Sequence, residues 1–105
     1  MSFLLDTYAL IEWYVQRNQS YAPYFDASIQ KHLTKLTLLE FYCHVYHRIG
    51  REKADDIYQH LTAYFEVQEL TEPVIKQSAA FRSHMLRQGK HLSYADCVNY
   101  VTAQL

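Results

Sequence analysis

The chain has few of the residues that form tight turns, with two glycines and two prolines among 105 residues. An all-β fold with many turns needs more of both, so this composition disfavours such an architecture. Half of the residues are hydrophobic and ten are tyrosines, which excludes a disordered chain. At this length we expect a single domain over residues 1–105 that buries one core and contains helices with few strands.

The chain also has few cysteines, little net charge and no long apolar run. Cys43 and Cys97 form no CxxC pair, so they are weak evidence for a disulfide or a metal site, and we predict buried thiols. A formal net charge of -1 supplies no general field that attracts nucleic acid. No apolar stretch reaches the roughly 18 residues of a membrane span, and no basic leader precedes the first apolar run. We therefore expect a soluble, cytoplasmic protein without membrane contact.

Apolar periodicity predicts strands that alternate with helices. Phe3, Leu4 and Leu5 predict a buried parallel strand, and a helix follows over residues 7–17. The other predicted elements are a short helix over 24–32, a short strand over 35–37, a helix from Leu38 to Gly50, a helix over 51–65, a strand over 67–70, a helix from Thr71 to Gly89 and a helix from Ser93. This order predicts an α/β fold.

Three carboxylates stand where predicted strands give way to helices: Asp6, Glu40 and Asp96. In an open parallel sheet such turns lie at one edge, where ligands bind. Carboxylates that meet there repel one another, and a hard cation such as Mg²⁺ or Mn²⁺ removes the repulsion. The three acids therefore predict a metal site that activates water for phosphodiester hydrolysis, with Asp6, Glu40 and Asp96 as ligands and catalytic groups.

Each acid also has a simpler explanation as part of a helix start. Thr37 with Glu40 and Ser93 with Asp96 fit the S/T-x-x-acid capping pattern, and Asp6 can itself be an N-cap. The helix dipole favours an acid at each of these positions. Taken singly, each acid is an ordinary cap, and only a shared sheet edge turns the three into a site.

The segments that carry the acids resemble the PIN domain family. FLLDTYALIEWY, TLLEFYCHVYHRIG and LSYADCVNYVTAQ are similar to three blocks of that family, in family order, and the strongest similarity is to VapC-like toxins of toxin-antitoxin pairs. The resemblance implies a three-layer α/β/α fold with a short parallel sheet. It also implies an endoribonuclease that depends on Mg²⁺ or Mn²⁺, forms a homodimer and is inhibited by an antitoxin.

The resemblance also assigns roles to particular residues. Asp6, Glu40 and Asp96 match the metal-binding acids of the family. Thr7 matches a hydroxyl-bearing neighbour of the site less closely, because the family often places its Ser or Thr one position later, where this chain has Tyr8. His44 lies one helical turn after Glu40 and is expected near the same site.

The chain departs from the family pattern after the last block. Family members usually continue through a fourth strand and a T-x-D segment that bears another acid, whereas this sequence closes at Leu105. The C-terminal strands are then expected to be missing, and the first strand becomes an edge that invites pairing. Two functions stay open: a ribonuclease, and a catalytically impaired module that dimerises or binds an antitoxin-like protein.

Other groups of polar residues also have the spacing of a functional site. Glu40, His44 and His47 have a helical spacing that suits zinc or iron, although a solvated stripe is the commoner explanation of such spacing. Two basic corners could contact RNA phosphates or simply face water. They consist of Arg48, Arg51 and Lys53, and of Arg82, Arg87 and Lys90.

The abundant tyrosines could stack on nucleic-acid bases. Tyr42, Tyr58, Tyr64 and Tyr14 fall on inward stripes of the predicted helices, however. We therefore predict core packing or dimer contacts for most of them.

Overall fold

The computed structural model describes residues 2–104. Its elements, in chain order, are β1 (Ser2–Leu4), α1 (Thr7–Leu10) with a π-helical continuation (Ile11–Val15), a 3₁₀ helix (Gln19–Phe25), β2 (Gln30–Thr34), α2 (Lys35–Ile49), α3 (Arg51–Tyr64), β3 (Glu66–Gln68), α4 (Glu72–Arg87) and α5 (Tyr94–Gln104). Strands and helices alternate, as the α/β prediction requires. No helix within residues 2–104 is long and apolar enough to cross a membrane.

The strands form a parallel sheet in the order β1, β2, β3. Phe3 of β1 pairs with Lys31 of β2, and Leu33 of β2 pairs with Val67 of β3. In the described part of the chain β1 is thus an outer strand, as the sequence predicts. Because all three strands run in one direction, the turns after them lie at one edge of the sheet.

Helices cover both faces of the sheet. One face packs against α1, α2 and α3 in a core whose buried members are Leu5, Leu10, Leu33, Leu38, Phe41, Val45, Ala54, Leu61 and Phe65. Val74 of α4 packs with Val98 and Val101 of α5 in a second cluster. Side chains of α4 and α5 share a cleft with Leu4 and His32, on the opposite face of the sheet. The predicted three-layer α/β/α arrangement is confirmed.

The middle strand lies elsewhere than the sequence predicts. The helix predicted over 24–32 and the strand predicted over 35–37 are both wrong, because Gln30–Thr34 forms β2 and α2 begins at Lys35. In this strand Leu33 and Thr34 alone are buried. A mostly polar strand carries little apolar pattern, and its pairing with β1 and β3 decides its conformation.

The predicted helix ends agree better with the structure. Thr71 caps α4, with its Oγ1 accepting a hydrogen bond from the Val74 N–H at 3.4 Å. Gly50 separates α2 from α3 with φ at 108°, a conformation that residues with a Cβ rarely adopt. Both boundaries are therefore set by local chemistry that is visible in the sequence.

Two predictions about burial are wrong in part. Cys43 is exposed, whereas Cys97 is buried as predicted. Tyr64 is 73% exposed and Tyr58 is 43% exposed, so neither lies in the core. Tyr42 and Tyr14 do pack against the first core. Helical periodicity shows which face a tyrosine occupies, but not whether another element covers that face.

Candidate functional site

Asp6 follows β1 and begins α1. Its Oδ1 accepts a hydrogen bond from the Ala9 N–H at 2.8 Å, so the predicted N-cap role is confirmed. The side chain is exposed to solvent. A capping carboxylate uses one oxygen for the helix, and the other oxygen stays accessible to a ligand.

Glu40 is held by a contact with the first helix. Thr7 Oγ1 donates a hydrogen bond to Glu40 Oε1 at 2.8 Å, across 33 positions of sequence, in a partly buried setting. The predicted cap at Thr37 is wrong, because Thr34 caps α2 and Thr37 lies fully buried inside its first turn. Glu40 is therefore not part of a capping box, and its carboxylate faces the residue next to Asp6.

Asp96 lies in the first turn of α5 and is exposed. Its backbone N–H donates to Ser93 Oγ at 3.0 Å, so Ser93 supplies the cap that the sequence predicts. The Asp96 carboxylate has no hydrogen-bond donor among the described residues. Its negative charge is favoured by the helix N-terminus and is available to a ligand.

A hydrogen bond that sequence reasoning missed joins the helices of the second and third acids. Thr37 Oγ1 donates to Asn99 Oδ1 at 3.3 Å, across 62 positions of sequence. Thr37 is one turn before Glu40 in α2, and Asn99 is one turn after Asp96 in α5. This contact therefore fixes α5 against α2 within a turn of both acids. The available signal was a polar Asn99 between the apolar Val98 and Val101.

The three acids lack basic partners within the described chain. Residues 2–104 contain four ion pairs, namely His32–Glu66, Lys35–Glu69, Arg51–Asp55 and Lys76–Glu72. None of them includes Asp6, Glu40 or Asp96. Unpaired carboxylates are the donor set that hard cations such as Mg²⁺ and Mn²⁺ prefer.

The side chains as placed do not converge into a coordination sphere. No group of three or more His, Cys, Asp or Glu side chains in residues 2–104 lies close enough to hold a metal ion. Carboxylate oxygens are suitable ligands for a divalent cation. Because the three carboxylates do not cluster, however, their side chains must rotate before they can bind the same ion. Asp6 and Asp96 are exposed, so staggered rotamers other than those seen are open to both.

The histidines of α2 do not form the alternative metal site. His44 is half-buried, and its Nε2 atom is buried without a hydrogen-bond partner in the described part of the chain. His47 is exposed. His44 thus follows Glu40 by one turn with a ring nitrogen that the described protein does not use.

The two predicted basic corners differ in structure. On the surface of α3, the Arg51 Nε atom lies 3.7 Å from the Asp55 Oδ2 atom. Arg82 is withdrawn from the second corner, because its Nε donates to the Leu92 carbonyl at 3.1 Å and its guanidinium lies 4.4 Å from the centre of the Tyr94 ring. The second corner is therefore not a uniform basic surface.

Comparisons with known proteins agree with this architecture. The sequence profile of the PIN domain matches residues 3–105. The fold is similar to that in the crystal structure of VapBC2 from Rickettsia felis bound to a DNA fragment from their promoter, with a TM-score of 0.80. The two chains are 14% identical, and the match covers 98% of this chain and 80% of that chain. No curated protein matches this sequence.

Proposed function

The chain belongs to the PIN domain family, and from that premise we propose that it is a metal-dependent endoribonuclease of the VapC type. It hydrolyses RNA phosphodiester bonds with a metal-activated water. The observation that carries this proposal is the 2.8 Å hydrogen bond from Thr7 to Glu40. It joins the turn that bears Asp6 to the helix that bears Glu40, which is the juxtaposition that a shared site needs.

Asp6, Glu40 and Asp96 are the proposed metal ligands and catalytic acids. A bound Mg²⁺ or Mn²⁺ supplies an acidified water and stabilises charge that develops on a phosphate oxygen. The chain contributes negative charge that no Lys or Arg within residues 2–104 neutralises. Because no basic side chain in this range pairs with these acids, their negative charge is available to attract a cation.

Thr7 and His44 are proposed as neighbours that orient Glu40. Thr7 donates to one carboxylate oxygen, which leaves the second oxygen for a ligand. His44 is one turn further along the same helix, and its buried Nε2 atom lacks a hydrogen-bond partner within residues 2–104. Such hydrogen-bonding groups around an acid fix its rotamer and tune its affinity for metal.

We also propose a homodimer and an antitoxin-like protein partner. The similar fold in the VapBC2 crystal structure, which was solved with promoter DNA, supports the protein partner. The homodimer rests on the resemblance to the family and on the outer position of β1, whose second edge has no neighbour among residues 2–104.

An RNA-cleavage assay tests the ribonuclease. The wild type is expected to cleave single-stranded RNA in the presence of Mg²⁺ or Mn²⁺, and EDTA should abolish this cleavage. Asp6→Asn, Glu40→Gln and Asp96→Asn should each lower the rate by about 100-fold or more, because each removes a charge needed in the transition state. The control is Asp56→Asn, an exposed acid on α3, which should cleave like wild type. Full activity in all three acid variants would rule out the proposed site.

The second candidate is a catalytically impaired interaction module. It is favoured by the absence, within residues 2–104, of three acids close enough to hold a metal ion. This candidate predicts that the wild type dimerises or binds an antitoxin-like protein without cleaving RNA under any metal condition. Cleavage that Asp6→Asn abolishes would exclude it.

A further inference from the structure

Asn99 is a half-buried polar residue of α5 that has no role among the metal ligands proposed above. It follows Asp96 by three residues, so the two side chains lie on one face of the helix. Its Oδ1 atom accepts a hydrogen bond from Thr37, which precedes Glu40 by three residues in α2. Asn99 therefore lies next to Asp96 and contacts the residue one turn before Glu40.

A directed chain of hydrogen bonds fixes which end of the Asn99 amide is bound. The Thr37 N–H donates to Thr34 Oγ1 at 3.1 Å, and the Thr34 hydroxyl donates to Thr37 Oγ1 at 3.3 Å. The Thr37 hydroxyl proton is then left for Asn99 Oδ1, at 3.3 Å. Thr34 is 1% exposed and Thr37 is 0% exposed, so water has little access to these groups. The acceptor end of the Asn99 amide is thus held by Thr37, and the donor end is directed elsewhere.

The Nδ2 group of Asn99 donates no hydrogen bond within residues 2–104. A side-chain amide nitrogen carries two N–H donors and does not act as an acceptor. It therefore cannot replace a carboxylate as a ligand to a cation. What Asn99 offers beside Asp96 is a pair of hydrogen-bond donors whose orientation Thr37 sets.

These donors supply what the surrounding acids lack. Asp6, Glu40 and Asp96 present acceptor oxygens, and none of the four ion pairs in the described chain brings a Lys or Arg to them. An RNA phosphodiester also presents acceptor oxygens with a negative charge, so it needs a donor or a cation on the protein side. Asparagine side chains are among the groups that commonly contact phosphate oxygens.

We propose that Asn99 binds the substrate phosphate, with its Nδ2 donating to a non-bridging oxygen of the RNA phosphodiester while Thr37 holds its Oδ1. This inference rests on the proposed ribonuclease function and adds a substrate contact to it. A neutral amide provides the donor without reducing the negative charge that attracts the cation. Loss of the donor should therefore impair RNA cleavage without impairing metal binding.

Asn99→Asp separates the substrate contact from the contact with Thr37. The carboxylate keeps an oxygen for the Thr37 hydroxyl but replaces the N–H donors with an acceptor. It should lower kcat/KM for RNA cleavage by about tenfold or more. Calorimetry should show Mn²⁺ affinity equal to or above that of wild type, because a negative charge is added. Gln104→Glu makes the same amide-to-carboxylate change at an exposed position of α5 and should cleave like wild type.

Two results with Asn99→Asp would overturn the proposal. Cleavage at the wild-type rate would mean that the Nδ2 donors do not contact the substrate. A parallel loss of cleavage and of Mn²⁺ affinity would mean that Asn99 acts only by holding α5 in place.

NMR of the side-chain amides detects the contact without any need for cleavage. Asparagine occurs only at positions 18 and 99, so selective ¹⁵N labelling of asparagine gives two side-chain amide groups. Single-stranded oligouridylate RNA, added with Mg²⁺, should shift the Asn99 Nδ2 protons downfield and saturably. The Asn18 amide, whose Nδ2 already donates to Glu12 at 3.2 Å, should not move.

The NMR and cleavage results together distinguish failure of this inference from failure of the ribonuclease. A saturable shift of the Asn99 amide without cleavage would support the phosphate contact and contradict the ribonuclease. An Asn99 amide that RNA does not shift would overturn the phosphate contact, whether or not the wild type cleaves the RNA.

Discussion

Ser78 Oγ and His44 Nε2 are the two buried side-chain polar atoms that have no hydrogen-bond partner within residues 2–104. They differ in setting. His44 follows Glu40 by one helical turn in α2, whereas Ser78 lies in the middle of α4. A buried polar group without a partner lowers the free energy of unfolding by roughly 1–3 kcal/mol, so both atoms are expected to reduce stability.

Ser78→Ala is expected to stabilise the unliganded protein by about 1 kcal/mol, because it removes a buried hydroxyl that lacks a partner. Ser83→Ala on the same helix is the matched control, since Ser83 is exposed and the helix-propensity gain is the same. Urea unfolding of both variants measures the difference. A Ser78→Ala variant that is less stable than Ser83→Ala would mean that the hydroxyl is satisfied.

Tyr14 links stability to alkaline pH. Burial raises the pKa of Tyr14 to about 12 from its ordinary value of 10.0. Between these values the folded protein keeps a proton that the unfolded chain loses, so the free energy of unfolding falls as pH rises. The stabilising contribution is complete below pH 10.0 and is lost as pH approaches 12.

Tyr14→Phe should therefore reduce the loss of stability between about pH 9 and about pH 11, measured by urea unfolding at both values. Carboxylates of Glu12 and Asp55 also raise the pKa of Tyr8 and Tyr42, so part of the alkaline slope should persist. Tyr64→Phe, which removes a hydroxyl at a 73% exposed position, serves as the control. Equal slopes in wild type and Tyr14→Phe would contradict the assignment.

At the scale of elements, the helices were largely predictable and the middle strand was not. The chain shows clear apolar periodicity and capping residues for α3, α4 and α5, so their bounds agree within a few residues. Strand β2 has the sequence QKHLT, with Leu33 as its buried apolar residue. Its conformation depends on pairing with strands far away in sequence, which no local pattern reveals.

Thr34 and Thr37 show the consequence of that displaced strand. The sequence pattern assigns the cap of α2 to Thr37, whereas in the structure Thr34 Oγ1 accepts from the Thr37 N–H at 3.1 Å. Thr34→Ala should therefore destabilise the protein by about 1 kcal/mol, the usual cost of a lost N-cap. Thr62→Ala, at a solvent-exposed position within helix α3, should be neutral or slightly stabilising. Thermal unfolding measures the melting temperatures of the two variants. Equal values would contradict the assignment of Thr34 as the N-cap of α2.

The candidate site shows the same division between local and distant information. The positions of Asp6 and Asp96 at helix starts are visible in the sequence, because each follows a recognisable local pattern. The contacts of Thr7 with Glu40 and of Thr37 with Asn99 span 33 and 62 positions. Such pairs arise from the packing of α1 and α5 against α2, so single-sequence reasoning could name the acids but not what holds them.

For the whole molecule, two hydrogen bonds connect the three elements that carry the acids. Thr7 links α1 to α2, and Thr37 links α2 to α5. These contacts hold α1 and α5 against α2. The carboxylates themselves are not assembled into a metal site in residues 2–104, so metal binding at the proposed site requires that a cation draws them together.

A calorimetric titration with Mn²⁺ tests this requirement most directly, because it measures metal binding without any need for the correct RNA. The wild type and the exposed control Asp56→Asn should bind Mn²⁺ saturably. Asp6→Asn should bind at least about tenfold more weakly, since a neutral amide replaces a charged ligand. Absence of saturable binding in the wild type, or equal affinity in wild type and Asp6→Asn, would contradict the proposed metal site.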